Sequence, residues 1–183
     1  VPVISGPNPA CLGSQGNIYS TEAGMTNYTW TVSSGGTITA GTNTNTVTVS
    51  WNSAGNQQLT VTYVDANICQ PVVATQYPVS VEPLPVPTIS GPSTVCANAE
   101  GIVYTTEPGM SNYNWAVSIG GFIVNGAGTD SITVLWPYAG NRTVSVTYTT
   151  PAGCLSANPT VFNVTVNPAA VPVIGSTNTP CIN

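Results

Sequence analysis

The sequence predicts an all-β protein built from tandem sandwich domains, and three observations support this fold class. Apolar and polar residues alternate along short segments, turn-forming residues separate these segments, and the whole pattern recurs every 85 residues. Residues 1–7 recur almost unchanged at 86–92, and their first part returns at 171–175. Such self-similarity indicates an array of structural repeats. We therefore predict one repeat at 1–84, a second at 85–169 and the start of a third at 170–183.

The strands of this fold are predicted by a hydrophobic period of two. Val47, Val49 and Trp51, for example, alternate with Thr and Ser, which is typical of a strand with one buried face. Seven strands in a repeat with an early cysteine, a central tryptophan and a later cysteine are typical of an immunoglobulin-like Greek-key β-sandwich. In the first repeat we predict strands near 1–6, 17–22, 27–33, 37–40, 45–51, 57–64 and 75–82.

Four tryptophans follow the repeat and lie in phase with the apolar faces of the strands. Trp30 and Trp51 of the first repeat correspond to Trp115 and Trp136 of the second. Tryptophan contributes a large apolar surface to a core. We therefore predict that all four are core anchors.

The five cysteines also follow the 85-residue period. One position holds Cys11, Cys96 and Cys181, and a second holds Cys69 and Cys154. With no histidine and no CxxC pair, they point to disulfides in an oxidising compartment rather than to zinc. We expect Cys11 to pair with Cys69 and Cys96 with Cys154, with the partner of Cys181 outside this fragment. A Cys69–Cys96 bridge across the junction is the alternative.

Charge is scarce in this chain, and this argues against several functions. Arg142 is the sole Lys or Arg, six residues are Asp or Glu, and the net charge is −5. A chain with one cation has no surface for phosphates, so we expect no nucleic-acid binding. We also expect no membrane insertion, because no apolar run approaches the ~20 residues that a spanning helix needs. Without His or Lys there is no general base for a serine nucleophile, and we predict no enzyme, cofactor or metal site.

Two glutamates stand out because they occupy the same position in both repeats. Glu22 and Glu107 are either turn residues that accept backbone N–H groups or contacts for a ligand or cation. Calcium would need several clustered oxygen ligands, and no acidic cluster is visible. Tyr138 replaces Ser53 in a predicted turn, so an exposed aromatic that stacks on sugar is a further hypothesis. Proline-rich linkers at 81–87 and 166–172 favour extended conformations, and stiff linkers between sandwiches predict a rod.

The chain resembles PKD-like, immunoglobulin-like repeats of very large surface proteins of Bacteroidetes, including gliding-motility adhesins of the SprB type. The pattern that carries the resemblance begins at Tyr19 and comprises Gly24-Met25-x-Asn27-Tyr28-x-Trp30-x-Val32, Gly35-Gly36-x-Ile38, Val47-x-Val49-x-Trp51, and Val61-x-Tyr63 followed by Cys69. The resemblance implies type IX secretion, a surface anchor elsewhere in the protein and repeats that project an adhesive tip. It also implies possible O-glycosylation of Ser131 in the sequence Asp130-Ser131-Ile132, and it carries over no catalytic residue.

Three functions follow from these features. The first is a non-catalytic structural repeat, a stalk or filament, of a secreted cell-surface adhesin. Its candidate partners are neighbouring repeats of the same protein, surface polysaccharide and other cell-surface proteins. The second is a carbohydrate-binding module, which predicts an exposed aromatic platform at equivalent positions of both repeats. The third is a spacer of a secreted multidomain enzyme. In a variant of the first, units polymerise by lending the strand that begins the third repeat, and Cys181 completes a bridge in the next subunit.

Overall fold

A computed structural model describes residues 1–69, 71 and 73–170 of the chain. These residues form strands, turns and irregular segments, and they include no helix long and apolar enough to cross a membrane. The described residues form fourteen strands, seven in each repeat, so the predicted all-β class is confirmed.

The first repeat is a sandwich of two sheets. One sheet has four strands in the order β1-β7-β6-β3, and the other has three in the order β2-β5-β4. All pairs are antiparallel except β1 with β7, which are parallel. The strands are β1 (Ala10–Cys11), β2 (Asn17–Ser20), β3 (Thr26–Val32), β4 (Gly36–Ala40), β5 (Thr46–Trp51), β6 (Gly55–Val64) and β7 (Thr75–Glu82).

The second repeat has the same plan, with sheets β8-β14-β13-β10 and β9-β12-β11. Again the short first strand runs parallel to the last strand of its repeat. The strands are β8 (Thr94–Cys96), β9 (Ile102–Thr105), β10 (Ser111–Val117), β11 (Phe122–Asn125), β12 (Ser131–Leu135), β13 (Gly140–Thr149) and β14 (Thr160–Asn167).

The strand predicted at 1–6 is wrong. That segment makes a single bridge, between Ser5 and Ser20, and the first strand of the repeat is β1 at Ala10–Cys11. The second repeat behaves in the same way, with one bridge between Ser90 and Thr105. Proline at positions 2 and 7 explains the difference, because proline has no N–H to donate to a ladder.

The core of the first repeat lies between its two sheets. It is formed by the residues that the alternation places on one face, among them Val47, Val49 and Trp51 of β5, which are at most 1% exposed. The indole N–H of Trp51 donates to the Tyr19 hydroxyl across 3.0 Å inside this core. All four tryptophans are buried, with exposed fractions of 6% or less.

Sequence features that recur in both repeats have local structural reasons. The indole N–H of Trp30 donates to the carbonyl of Thr44, and Trp115 makes the same bond to Thr129. Gly36 passes so close to the ring of Trp51 that a Cβ there would collide with it, as would one at Gly121 with the ring of Trp136. The second glycine of each Gly-Gly pair is therefore required by the packing of the following core tryptophan.

Close packing divides the described chain into two compact units. Unit 1 comprises Val1–Pro87 together with two segments of the second repeat, Pro108–Tyr113 and Thr147–Pro159. Unit 2 contains Thr88–Glu107, Asn114–Val146 and the described residues from Thr160 onward. The boundaries 1–84, 85–169 and 170–183 that the sequence suggests stay a prediction, and nearly all of the third segment lies outside the described residues.

Candidate functional site

The disulfide is the main departure from the sequence-based expectation. Cys11 is bonded to Cys154, 143 residues later, with 5.5 Å between their Cα atoms. The expected pairs Cys11–Cys69 and Cys96–Cys154 are therefore wrong. The alternative Cys69–Cys96 bridge is also absent, because both of these cysteines are free and exposed. Cys181 lies outside the described residues.

The topology explains why cysteines of one repeat do not pair with each other. Cys11 of β1 lies beside Glu82, the last residue of β7. Cys69 precedes the other end of β7, which begins at Thr75. Eight residues of strand separate these ends by roughly 23 Å, whereas the Cα atoms of a disulfide lie within about 7 Å of each other. The same holds in the second repeat, where Cys96 lies beside Asn167 at the end of β14.

The loop that carries Cys154 is built from a local hydrogen-bonded turn. Thr150 donates its N–H to the carbonyl of Cys154, and its hydroxyl oxygen accepts the N–H of Cys154 across 3.1 Å. Gly153 has a φ of 84° and donates its N–H to the carbonyl of Thr150. The cysteine side chain that this loop presents is completely buried.

The loop that carries Cys69 has the same construction. Asp65 donates its N–H to the carbonyl of Cys69, and its carboxylate accepts the N–H groups of Asn67 and Cys69, each across 2.9 Å. Ile68 stands where the second repeat has Gly153, and its φ of 62° is unusual for a β-branched residue. Cys69 is nevertheless exposed, so equal loops place their cysteines in different environments.

A groove of about 320 Å³ lies at the Cys69 loop, lined by Met25, Tyr63 and Asp65 among others. A second groove, of about 460 Å³, lies within unit 1 and is lined by Met110, Tyr148 and Thr150. Those three residues are the equivalents, 85 positions later, of the three named in the first groove. The second groove is also lined by the end of the first repeat, Glu82-Pro83-Leu84-Pro85.

Glu22 and Glu107 tie the segment that enters each repeat to the end of the second strand. The Glu22 carboxylate accepts the N–H of Val3 at 3.0 and 3.1 Å, and it also accepts the hydroxyls of Thr21 and Tyr63. The donated N–H comes from a residue 19 positions earlier, not from the turn itself. The carboxylate is thus occupied by protein donors, as in the first of the two interpretations considered for these residues.

Glu107 accepts donors equivalent to those of Val3 and Thr21, and it also accepts a hydroxyl that Val3 lacks. It accepts the N–H of Thr88 at 3.0 and 3.1 Å, the Thr88 hydroxyl at 2.6 Å and the Thr106 hydroxyl at 2.7 Å. Burial acts to raise its pKa, but these hydrogen bonds outweigh burial and lower the pKa to about 2. The pKa of Glu22 is lowered from its ordinary value by the same balance of burial and hydrogen bonds.

The remaining site predictions concern the surface. Tyr138 is exposed at 64%, and Phe122 at 58%. Their equivalents in the first repeat are Ser53 and Thr37, so the predicted platform at equivalent positions of both repeats is wrong. Ser131 begins β12 and is partly buried, and its glycosylation stays a prediction. The described residues hold no group of three or more His, Cys, Asp or Glu that could bind a metal.

Two features were missed by the sequence reasoning. The pairing of Cys11 with Cys154 has no local signal, although the position of each cysteine at one end of its repeat follows from the strand order. The second feature is a set of exposed apolar side chains at positions that are polar in the first repeat. A residue-by-residue comparison of the repeats would have revealed it, because Ser or Thr of the first repeat is replaced by an exposed apolar residue at Ile119, Phe122, Val124 and Tyr138.

The fold and the duplicated motifs define a tandem protein of immunoglobulin-like sandwiches. The family model of the PKD-like domain matches residues 1–79 and again 82–164. The chain therefore belongs to the PKD-like domain family. A search among curated proteins finds no match.

Solved structures with a similar chain course are distant in sequence. The fibronectin(III)-like modules of CbhA from Clostridium thermocellum are 15% identical, with a TM-score of 0.40 over 96% of this chain and 100% of that one. The Escherichia coli adhesin FdeC is 16% identical, with a TM-score of 0.44 over 89% of this chain and 63% of that one. Invasin, a bacterial integrin-binding protein, is 17% identical, with a TM-score of 0.44 over 91% of this chain and 38% of that one. Likenesses at this level carry no conclusion about function.

Proposed function

We propose that the chain is a non-catalytic structural repeat, part of the stalk or filament of a secreted bacterial cell-surface adhesin. The observation that carries the proposal is the bond between Cys11 and Cys154, which joins the first repeat to the second covalently. Disulfides persist in oxidising compartments, which supports an extracellular location. The motifs shared with gliding adhesins of Bacteroidetes support, within the proposal, export by type IX secretion.

The bond has a mechanical consequence that follows from chain connectivity alone. A pulling force applied at residues 1 and 170 passes from Cys11 directly to Cys154 through the sulfur atoms. The 142 residues between them carry no extension while the bond is intact. A stalk that holds a cell against flow needs repeats that do not extend under force. Unfolded repeats would lengthen the stalk and change the position of its adhesive end.

Single-molecule force spectroscopy tests this role. With handles at residues 1 and 170, the oxidised chain should extend only through its short ends. Reduction should release an additional contour length of roughly 480 Å, at about 3.4 Å per residue. The Cys154→Ser variant should behave like the reduced protein under all conditions. Full extension of the oxidised native chain would contradict this mechanical role. Antibodies that fail to label intact producing cells would contradict the surface location.

A second candidate function is carbohydrate binding by the second repeat alone. The observation that favours it is the exposure of two aromatic rings, Phe122 and Tyr138, at positions where the first repeat has Thr37 and Ser53. Aromatic faces bind sugar rings by apolar stacking. A glycan array with the native chain and with the Phe122→Thr/Tyr138→Ser variant tests it. Binding that the variant loses supports this candidate, and an array without hits removes it.

A further inference from the structure

Cys96 is held by the same backbone hydrogen bonds as Cys11, its equivalent one period of 85 residues earlier. Three such bonds recur around the two cysteines, all with donor–acceptor distances between 2.8 and 3.2 Å. In the first repeat they run from Leu12 to Glu82, Gly13 to Trp51 and Ser14 to Cys11, and in the second from Ala97 to Asn167, Asn98 to Trp136 and Ala99 to Cys96. The second repeat therefore holds the free Cys96 as the first repeat holds the bonded Cys11.

Cys69 matches the bonded Cys154 in the same way. The carbonyl of each cysteine accepts the N–H of the residue four positions earlier, Asp65 or Thr150, and the side chain of that residue accepts the cysteine N–H in return. The two cysteines differ in burial, since Cys154 is completely buried and Cys69 is exposed. The free cysteines are therefore of the two kinds that form the known bond, one from the start of a repeat and one from the loop before its last strand.

The segment that leads into a repeat lines the groove beside each of these loops. In the second repeat this segment is Glu82-Pro83-Leu84-Pro85, the end of the repeat that supplies the bonded Cys11. In the first repeat, the groove that contains Cys69 is lined by Val1-Pro2. These two residues are the equivalents of Val86-Pro87, which directly follow Pro85. The chain that enters a repeat therefore runs along the same groove in both repeats.

We infer that each junction between successive repeats of the continuous chain is closed by one disulfide, from the first cysteine of a repeat to the second cysteine of the repeat that follows. Cys96 then bonds to the second cysteine of the third repeat, whose start the sequence shows at 170–183. By the same rule, Cys69 bonds to the first cysteine of a repeat that precedes Val1. Because Cys96 lies between Cys11 and Cys154 in the chain, successive bonds close overlapping loops and tie each repeat to both of its neighbours. The inference rests on the proposed role as part of a repeat array.

The formation of each bond requires an oxidant, for which we name a small-molecule disulfide, oxidised glutathione. The Cys96 thiolate attacks it and releases one glutathione thiol. The thiolate of the third repeat's cysteine then attacks the Cys96 sulfur of the mixed disulfide and releases the other. Two protein thiols have lost two electrons and two protons, and one glutathione disulfide has become two thiols. Cys69 reacts in the same way, and the oxidant reaches both thiols because both are exposed.

The test for Cys96 completes the third repeat on the full chain. Residues 1–183 are followed by a copy of residues 99–170, which continues the repeat without a gap because Asn183 is equivalent to Asn98. Leu155→Val in the copy gives the peptide of its cysteine a distinct mass. The dilute protein is oxidised with glutathione, and linked peptides are identified by mass spectrometry without reduction. The matched control carries Cys154→Ser in the copy alone.

A second extended chain tests Cys69. A copy of residues 1–85 precedes Val1, so that Pro85 of the copy is followed by Val-Pro as in the native junction. Gln15→Asn marks the copy, and the matched control carries Cys11→Ser in the copy alone. In both extended chains, the native Cys11–Cys154 peptide reports the folding of the original repeats. Resistance to chymotrypsin reports the folding of the added repeat.

We expect Cys96 to be linked to the marked copy of Cys154 in the first extended chain, and Cys69 to the marked copy of Cys11 in the second. Both thiols are exposed in the native chain, and each should become at least about tenfold less reactive towards iodoacetamide, because only a free thiolate reacts. In the matched controls each thiol should keep its reactivity.

A reactive Cys96 or Cys69 in an extended chain that has formed the Cys11–Cys154 bond would overturn the inference, as would a Cys69–Cys96 link. So would added repeats that do not fold, because the inference requires equivalent repeats to be interchangeable at a junction. The bonds can form in a protein that is not displayed on a cell, so the force and labelling experiments above can fail independently of this test.

Discussion

The loops that carry Cys69 and Cys154 have the same construction, but their cysteines lie in different environments. Both are closed by a polar residue at their start, Asp65 or Thr150, and both present a cysteine at their end. The first cysteine is exposed and free, and the second is buried and bonded to Cys11. The difference teaches that the disulfide belongs to the junction between repeats and not to the sandwich itself.

The largest expected effect is the loss of that junction bond. Cys11→Ser and Cys154→Ser should each lower the free energy of unfolding by roughly 3–5 kcal/mol, because the bond closes a loop of 143 residues in the unfolded chain. Cys69→Ser should have almost no effect. Urea denaturation of the oxidised proteins measures the difference.

The double variant Cys11→Ser/Cys154→Ser is the control for this experiment. It should be no less stable than either single variant, because the two substitutions remove the same bond. An equal loss of stability in Cys69→Ser would break the comparison between the two loops, since it would mean that the first repeat also depends on its cysteine.

The next largest effect on stability is expected at the residues that precede Cys69 and Cys154, which are Ile68 and Gly153. Gly153→Ala should cost about 1 kcal/mol, because its positive φ disfavours a side chain, while the new Cβ itself would touch nothing within 4 Å. The converse change, Ile68→Gly, should stabilise the first repeat by roughly 0.5–1 kcal/mol, since Ile68 is 87% exposed and contributes little packing. Thermal melts of the two variants beside the native chain check both signs. Destabilisation by Ile68→Gly would contradict the strain assigned to this loop.

A smaller effect on stability is expected at the two equivalent glutamates, Glu22 and Glu107. Folding lowers the pKa of Glu107 from 4.5 to about 2, so its contribution to stability is complete above pH 4.5 and is lost as the pH falls towards 2. Because the carboxylate is partly exposed, we expect Glu107→Gln to cost at most about 1 kcal/mol at pH 7 and only a small part of that at pH 2. Urea denaturation at the two pH values measures this.

Thr88 provides the matched variant for this prediction, because it gives Glu107 a hydroxyl donor where Val3 gives Glu22 only an N–H. Thr88→Val should raise the pKa of Glu107, and Val3→Thr should lower the pKa of Glu22 further. Carboxyl chemical shifts followed over pH report both values. A Glu107 pKa that is unchanged in Thr88→Val would show that the hydroxyl does not hold the carboxylate.

The smallest effect on stability is expected at the apolar surface of the second repeat. The triple variant Ile119→Ser/Phe122→Thr/Tyr138→Ser installs the residues of the first repeat at three exposed positions. Its free energy of unfolding should stay within about 0.5 kcal/mol of the native value. The fluorescence of a dye that binds exposed apolar surface should fall. A large destabilisation would show that these side chains pack instead of facing solvent.

Much of the fold could be predicted from the sequence because its signals are local. The alternation of Val47, Val49 and Trp51 with hydroxyl residues marks β5, and Gly35-Gly36 marks the point where a turn leads into β4. The segment at 1–6 misled the same reasoning, because its apolar residues suggest a strand, while Pro2 within it and Pro7 just after it have no N–H to donate to a ladder. The candidate site was harder. The glutamates were found by their recurrence, but their donors, such as Val3 and Tyr63, lie far away in sequence.

The sequence by itself determined the period, the all-β class and the chemical character of this protein. Each follows from residues that are near neighbours or that repeat at a constant offset. Only the tertiary structure decided which cysteines meet. Pairing depends on the distance between chain segments, and the parallel placement of β1 beside the end of β7 moves Cys11 away from Cys69 by the length of a strand. The number of residues between two cysteines does not give the distance between them in the folded chain. The bond to Cys154 could therefore be recognised only from the three-dimensional structure.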